Sequence, residues 1–323
     1  MSTSRKVLHW DGPNKQRARS LKLTLVRHAA SNGYLPTRLR ALTFAGAKAH
    51  FERGLLRQKL IKPEDIITIQ DCRRSGRAEV LRRLIATRDT YLPDMRIWPD
   101  EFNAFRRMYS KERILLGDGS WTRFPLFRPE MYKFHKTAGP DFHVLDIDIC
   151  GIFNEKNGGD VSGLMEKRAL AKRGLLFVNH QKGRDGRHGS VFQFVREYFR
   201  SAPFDPDEVI DAYGERLDLS SEDDLSRDLL RRVLVPAYYV CEAYKHGYSM
   251  EVVRMMEYRD RDPVTRGGVK MLQWYFQFEQ HASASFRDKS VRFVNALAQE
   301  QETFTRQLDI IRREAYPYTE ATD

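Results

Sequence analysis

Short apolar runs alternate with longer stretches in which apolar residues recur every third or fourth position. From Arg38, RLRALTF reads as a brief strand. The following AGAKAHFERGLLRQKL reads as a helix with Phe51, Leu55 and Leu56 on one stripe. After the Lys62-Pro63 break, IITIQ (Ile66 to Gln70) is a second strand that ends at Asp71, and SGRAEVLRRLIATR is the helix behind it. MRIW is a third strand, running to Asp100, and DEFNAFRRMYS a further helix. Repeated strand-then-helix units, two with an acid at the strand's end, predict right-handed βαβ units in a parallel sheet.

The run FHVLDIDICGIFNE, Phe142 to Glu155, predicts a buried fourth strand that carries Asp146, Asp148 and Asn154 to the rim of that sheet. A turn at Gly158-Gly159, a helix from Val161 to Lys172 and a fifth strand, GLLFVNH, follow. SVFQFVREYFR is an amphipathic helix stopped by Pro203, and an acidic patch from Asp205 to Asp228 leads into a long helix ending at Gly247, with a kink at Pro236. SMEVVRMMEYRD and VKMLQWYFQFEQ then form an antiparallel hairpin around Asp262-Pro263 and Gly267-Gly268. Ser285 to Arg313 is a glycine-free helix with Val291, Val294, Leu297, Phe304, Leu308 and Ile311 near one face, placed to pack on its own domain or on a partner.

The fold class that emerges is α/β: a doubly wound, mostly parallel Rossmann-like sheet closed by an antiparallel C-terminal hairpin, with a helical appendage. Residues 1–20 read as a basic flexible arm and 21–282 as the α/β domain. That domain carries an inserted loop over 111–140 and a helical insert over 201–247, and 283–323 is the C-terminal helix. LKLTLV, Leu21 to Val26, alternates like a strand, while its flanks up to Tyr34 also fit a helix.

A chain of 323 residues has room for a large core without disulfides or metals. The excess of 55 Lys and Arg over 44 Asp and Glu gives +11, which points to a polyanionic partner. The basic arm suits nucleic-acid phosphates. In the 111–140 insert, Trp121, Phe124, Phe127, Tyr132 and Phe134 lie among Arg123, Arg128, Lys133 and Lys136, a mixture that suits base stacking beside phosphates or a small satellite core. Cys72, Cys150 and Cys241 are far apart, which supports neither a disulfide framework nor a zinc site and implies a reducing, cytoplasmic setting. The polar N-terminus is not a secretory signal, and no apolar run reaches the ~20 residues of a membrane span, so a soluble protein is expected.

In doubly wound folds an acid at the end of the second strand accepts the hydroxyls of a ribose. Asp71 follows Gly46 by 71 − 46 = 25 positions, close to the ~20 between a cofactor-approach turn and that acid. Asp100 then falls near an adenine, and Asp146 and Asp148 face the reacting end with Asn154 beside them. As bland alternatives, the two acids cap the next helix, or, as a DxD pair lacking a completing glutamate, hold magnesium; no metal is expected.

In this layout the chain resembles the class I S-adenosylmethionine-dependent methyltransferases. ALTFAGAKAHFE stands for the glycine-rich first loop, IITIQD for the ribose acid, RIWPDEF for the adenine-side acid, HVLDIDICG for the fourth strand and GLLFVNH for the fifth, with VVRMMEY and KMLQWYFQF as the closing hairpin. The resemblance implies S-adenosylmethionine bound by Thr43, Phe44, Ala45, Gly46, Asp71, Asp100 and Glu101, and methyl transfer to a nucleic acid. The first loop has one Ala-Gly pair where the family shows a Gly-x-Gly run, the fourth strand lacks its Asp-Pro-Pro-aromatic signature, and Cys150 has no preceding proline to mark an attacking thiol. A second resemblance is to the histidine phosphatases: LTLVRHAASN would supply a nucleophilic His28 and a phosphate-binding Arg27, with Arg77, Glu101 and His180 as partners. A third possibility is a methyltransferase-like sheet that binds nucleic acid without activity.

Overall fold

In a computed structural model of the chain the described residues are 13–70, 77–98, 142–148, 153, 155–166, 169–182, 194, 198, 235–261 and 268–280. They begin with helix α1 (Pro13–Ser31), strand β1 (Ala41–Thr43) and helix α2 (His50–Arg57). A 3-10 turn (Pro63–Asp65), β2 (Ile66–Ile69), α3 (Arg77–Tyr91), β3 (Arg96–Trp98) and β4 (Phe142–Asp148) come next. The remainder is α4 (Glu155–Glu166), β5 (Leu170–Lys182), α5 (Val235–Lys245), β6 (Tyr248–Arg261) and β7 (Gly268–Gln280).

The seven strands form one sheet in the order β3-β2-β1-β4-β5-β7-β6. β1 pairs in parallel with β2 and β4, and β2 with β3. β6 and β7 are neighbours joined by only residues 262–267, too few for a parallel crossover, so the C-terminal pair is antiparallel. The order runs outward from β1 to β3 on one side and through β4 on the other. Its reversal lies between β1 and β4, the place where open sheets of this order bind ligands at the carboxyl ends of the strands.

The chain divides into two compact units. The first holds α1 through β4 and residues 163–177, with a core of Leu42, Ile66, Ile67, Val144, Leu145 and Ile147, all excluded from solvent. β2 is buried at every position, as a strand covered on both faces must be. The second unit holds residues 153–162, 178–182, α5 and most of β6 and β7, around an aromatic core that includes Tyr239, Tyr248, Trp274, Tyr275 and Phe276.

Three sequence expectations differ from the structure. Residues 13–20, read as part of a flexible arm, open α1, and Leu21 to Val26 lie within the same helix. Ala18, Lys22, Val26 and Ala29 form its buried stripe at helical spacing, and that longer period overrides the local alternation. Gly158 and Gly159 lie inside α4 rather than in a turn. A Cβ at Gly158 would meet Tyr238 Cε1 at 2.9 Å and Phe153 Cε2 at 3.0 Å, so this glycine serves close packing. Leu170 to Lys172, expected at the end of that helix, open β5. Pro236, where a kink in a longer helix is expected, lies in α5, and the residues before Val235 lie outside the described ones. Residues 1–12, the 111–140 insert, 201–234 and 281–323 also lie outside them. Among the described residues no helix is long and apolar enough to cross a membrane.

Candidate functional site

The strand register sets the rim of the first unit. Thr43 at the end of β1 pairs with Thr68 of β2 on one side and with Asp146 of β4 on the other, so three polar side chains stand in a row at the carboxyl ends of the strands. The chain then leaves β1 through a loop pinned from both sides. Phe44 N–H donates to the Asp146 carbonyl at 3.0 Å, and Ala45 N–H donates to Thr68 Oγ1 at 2.8 Å. The Thr68 hydroxyl donates in turn to the Thr43 carbonyl at 3.2 Å. Ala45 and Ala47 are buried while Gly46 is exposed, and a Cβ on Gly46 would meet no atom within 4 Å. The loop closes on a tight turn in which Ala49 N–H donates to the Gly46 carbonyl and Ala49 adopts φ 44, a left-handed conformation that costs a non-glycine residue about 1 kcal/mol.

Helix α1 contributes cations to this rim. Lys22 Nζ donates to Asp146 Oδ1 at 2.6 Å in a buried pair, and Lys15 Nζ lies 3.4 Å from Asp148 Oδ2 in a more open one. The lysines are seven apart on the helix and the acids two apart on the strand, in opposite sequence order, so α1 runs antiparallel to β4. The Lys22 ammonium also lies 5.7 Å from the Phe51 ring centroid. Burial pushes the Asp146 carboxyl upward, with the Lys22 charge opposing it and Asp148 adding to it. Glu52, buried on α2, is pushed up chiefly by desolvation; Thr43 and Lys22 oppose the shift and Asp146 reinforces it. Two buried carboxyls thus share the neighbourhood of a single buried ammonium, an arrangement that favours a proton on one of the acids.

The second unit has a polar group of another kind. His180, buried on β5, meets the Tyr239 hydroxyl at 2.7 Å through Nε2, and the two rings are stacked with centroids 6.1 Å apart. Phe153 and Trp274 pack edge-on against the imidazole at 5.5 and 5.8 Å. Burial holds the Tyr239 hydroxyl far above the usual range, with Tyr238 and Asp160 adding to it, so it stays a neutral hydroxyl. Nearby, Tyr198 donates to Glu242 Oε1 at 2.6 Å, and Lys245 bridges that carboxylate at 3.0 Å while lying over the Tyr198 ring. Burial pushes the Cys241 thiol up to about 12, which makes it a small apolar packing group and not a nucleophile.

Of the residues singled out in the sequence, the structure brings Thr43, Phe44, Ala45, Gly46 and Asp146 together at the end of β1 and β4, and places Asp148 one alternate position further on the same strand. Asp71, Asp100, Glu101, Asn154 and Cys150 lie outside the described residues. The phosphatase arrangement is corrected: Arg27 and His28 are exposed on α1, where that resemblance needs a strand, and His180 is buried against Tyr239. Lys22, Glu52 and Thr68 were missed. Their signal was a charged or hydroxyl residue at a position whose helix or strand period puts it inside. Among the described residues no group of three or more His, Cys, Asp or Glu could hold a metal ion.

No protein-family model and no curated protein matches the chain. Among solved structures it is similar to a candidate RNA methyltransferase from Pyrococcus horikoshii, with 11% identity and a TM-score of 0.37 over 86% of this chain and 91% of the other. A likeness at that level transfers neither the activity nor the ligands of that protein to this chain.

Proposed function

We propose that this chain is a doubly wound, Rossmann-like enzyme that transfers a methyl group from S-adenosylmethionine to a nucleic acid. The observation that carries the reading is the rim at the strand-order reversal. There a loop pinned by Thr68 and by the Asp146 backbone presents an open-faced Gly46 beside the carboxyl ends of β1 and β4, the place where such sheets take nucleotide-type ligands. The strand order supports it, because the sheet ends in the antiparallel pair that the methyltransferase resemblance implies.

The open face at Gly46, where a Cβ would meet no atom within 4 Å, leaves room for that cofactor. Thr43, Phe44, Ala45 and Gly46 would line its approach, Asp71 would accept the ribose hydroxyls, and Asp100 and Glu101 would lie on the adenine side. When bound, the cofactor supplies an electrophilic methyl on sulfur. Asp146 is committed to Lys22, so its role is to fix the loop and the charge of the rim. Asp148, with a longer contact to Lys15 and partial exposure, is the better placed of the two to orient an acceptor, together with Asn154. Positioning of the acceptor in line with the methyl group would then provide most of the rate. The +11 charge supports a polyanionic acceptor, and a nucleic acid is the one proposed.

Incubation of cellular RNA and of DNA with a radiolabelled methyl donor tests this directly. Label in nucleic acid that depends on the chain and disappears with Asp71→Ala supports the reading; retention of nucleic acid without label reduces the chain to a binding protein.

A further inference from the structure

We infer that the outward face of α1 is a docking strip for the phosphodiester backbone of a nucleic acid; the choice of partner rests on the function proposed above. Helix α1 contains no acidic residue, yet carries Lys15, Arg17, Arg19, Lys22 and Arg27. The structure sorts these cations by face. Lys15 and Lys22 turn to the acids of β4, and Ala18, Val26 and Ala29 are buried on the same side. The exposed positions are Gln16, Arg17, Ser20, Thr24, Arg27, His28 and Ser31. At 100° per residue they occupy about a third of the helix circumference, opposite the buried stripe. Every one is a cation or a hydrogen-bond donor, and none is apolar.

Arg17 and Arg27 are ten residues apart, about 15 Å along the axis at 1.5 Å per residue, which lets them reach different phosphates of one strand. Both are exposed, and neither makes an ion pair among the described residues. Ser20 and Thr24 between them add neutral donors of the kind that contact phosphate oxygens. A membrane surface is the poorer match, since a surface-lying helix turns apolar residues toward the bilayer and this one turns them into its own unit. The ion pair between Lys15 and Asp148, on the helix's opposite face, fixes α1 to the strand that would face the acceptor.

The test uses the full chain without any methyl donor, so that it stands apart from the catalytic reading. Fluorescence anisotropy with a labelled single-stranded RNA 20-mer and a DNA duplex is read across a salt series. Substitution of both Arg17→Gln and Arg27→Gln should weaken binding several-fold. It should also flatten the slope of log affinity against log salt by about 1.4 on RNA or about 1.8 on duplex, two contacts at about 0.7 or 0.9 each. A control removing the same charge at the end of α2, Arg57→Gln with Lys59→Gln, should leave both quantities nearly as they were. The inference is overturned if the α1 variant keeps its affinity and slope, or if the control falls equally. It is also overturned if the α1 variant loses binding to phosphatidylserine vesicles and not to RNA or DNA. None of these results bears on whether methyl is transferred.

Discussion

The two units bury polar groups in opposite ways. At the rim of the first, the buried Asp146 and Glu52 carboxyls and the Lys22 side chain stand in each other's field, beside the Phe51 ring. In the second, His180 meets a Tyr239 hydroxyl that burial keeps neutral, among Phe153, Tyr238 and Trp274. A neutral hydroxyl costs little once its hydrogen bond is made, whereas a buried charge is tolerated only while its counter-charge stays in place. The first arrangement is therefore costly to stability and is concentrated at the carboxyl ends of the paired strands β1 and β4; the second is ordinary core construction. Two buried acids, both shifted upward, at the carboxyl ends of parallel strands are the reason for seeking function at the first.

Removing Lys22 is the most severe way to break the contrast. Lys22→Met leaves Asp146 buried without its cation and should cost about 3–5 kcal/mol in urea unfolding. The double variant with Asp146→Leu should recover most of that loss, because no isolated charge remains. An equal loss in both would mean that packing, not charge, holds α1 to the rim.

Next in size is a comparison of two glycines. Gly158→Ala forces a methyl against the Tyr238 and Phe153 rings and should cost about 1–3 kcal/mol. At Gly54 in α2 the nearest obstacle is the end of Leu23, with Cδ1 at 2.5 Å. That side chain can turn away, and alanine's helix preference of about 1 kcal/mol offsets the shift, so Gly54→Ala should be nearly neutral.

Thr68→Val deprives the buried Ala45 N–H of its acceptor and should cost about 1–3 kcal/mol, at the lower end if the loop relaxes toward water. Thr68→Ser should restore the loss. The smallest effect is on pH dependence. Glu52 is raised above its ordinary 4.5, so the folded chain holds that proton more tightly than the unfolded one. Its contribution is fully present below pH 4.5 and is lost as pH rises through the folded value. Asp146, raised above 3.8, acts with the same sign. Urea midpoints measured across that rise should therefore decline, and Glu52→Gln should decline less.

The strands were readable because β1 through β5 and the hairpin are apolar runs bounded by proline, glycine or acid, and their alternation with helices implies a parallel sheet. Helix α1 was not, since Leu21 to Val26 alternates with a period of two and Lys22 interrupts the apolar stripe that would have revealed the longer period. Gly158 looked like a turn because sequence does not say which aromatic rings will arrive beside it. The rim was half visible: Asp146 and Gly46 stand out in their own segments. Their meeting with Thr68 and Lys22 depends on strand order and register, which strands of three and four residues do not encode locally.

The central claim is that the loop after β1 and the neighbouring strand ends hold an adenosyl cofactor. Isothermal calorimetry of the full chain with S-adenosylhomocysteine tests it most directly. The account predicts one-to-one binding that Asp71→Ala abolishes and Thr68→Val weakens, and no comparable heat with a simple phosphate ester. Absence of binding to the folded chain, or binding untouched by both substitutions, would contradict it.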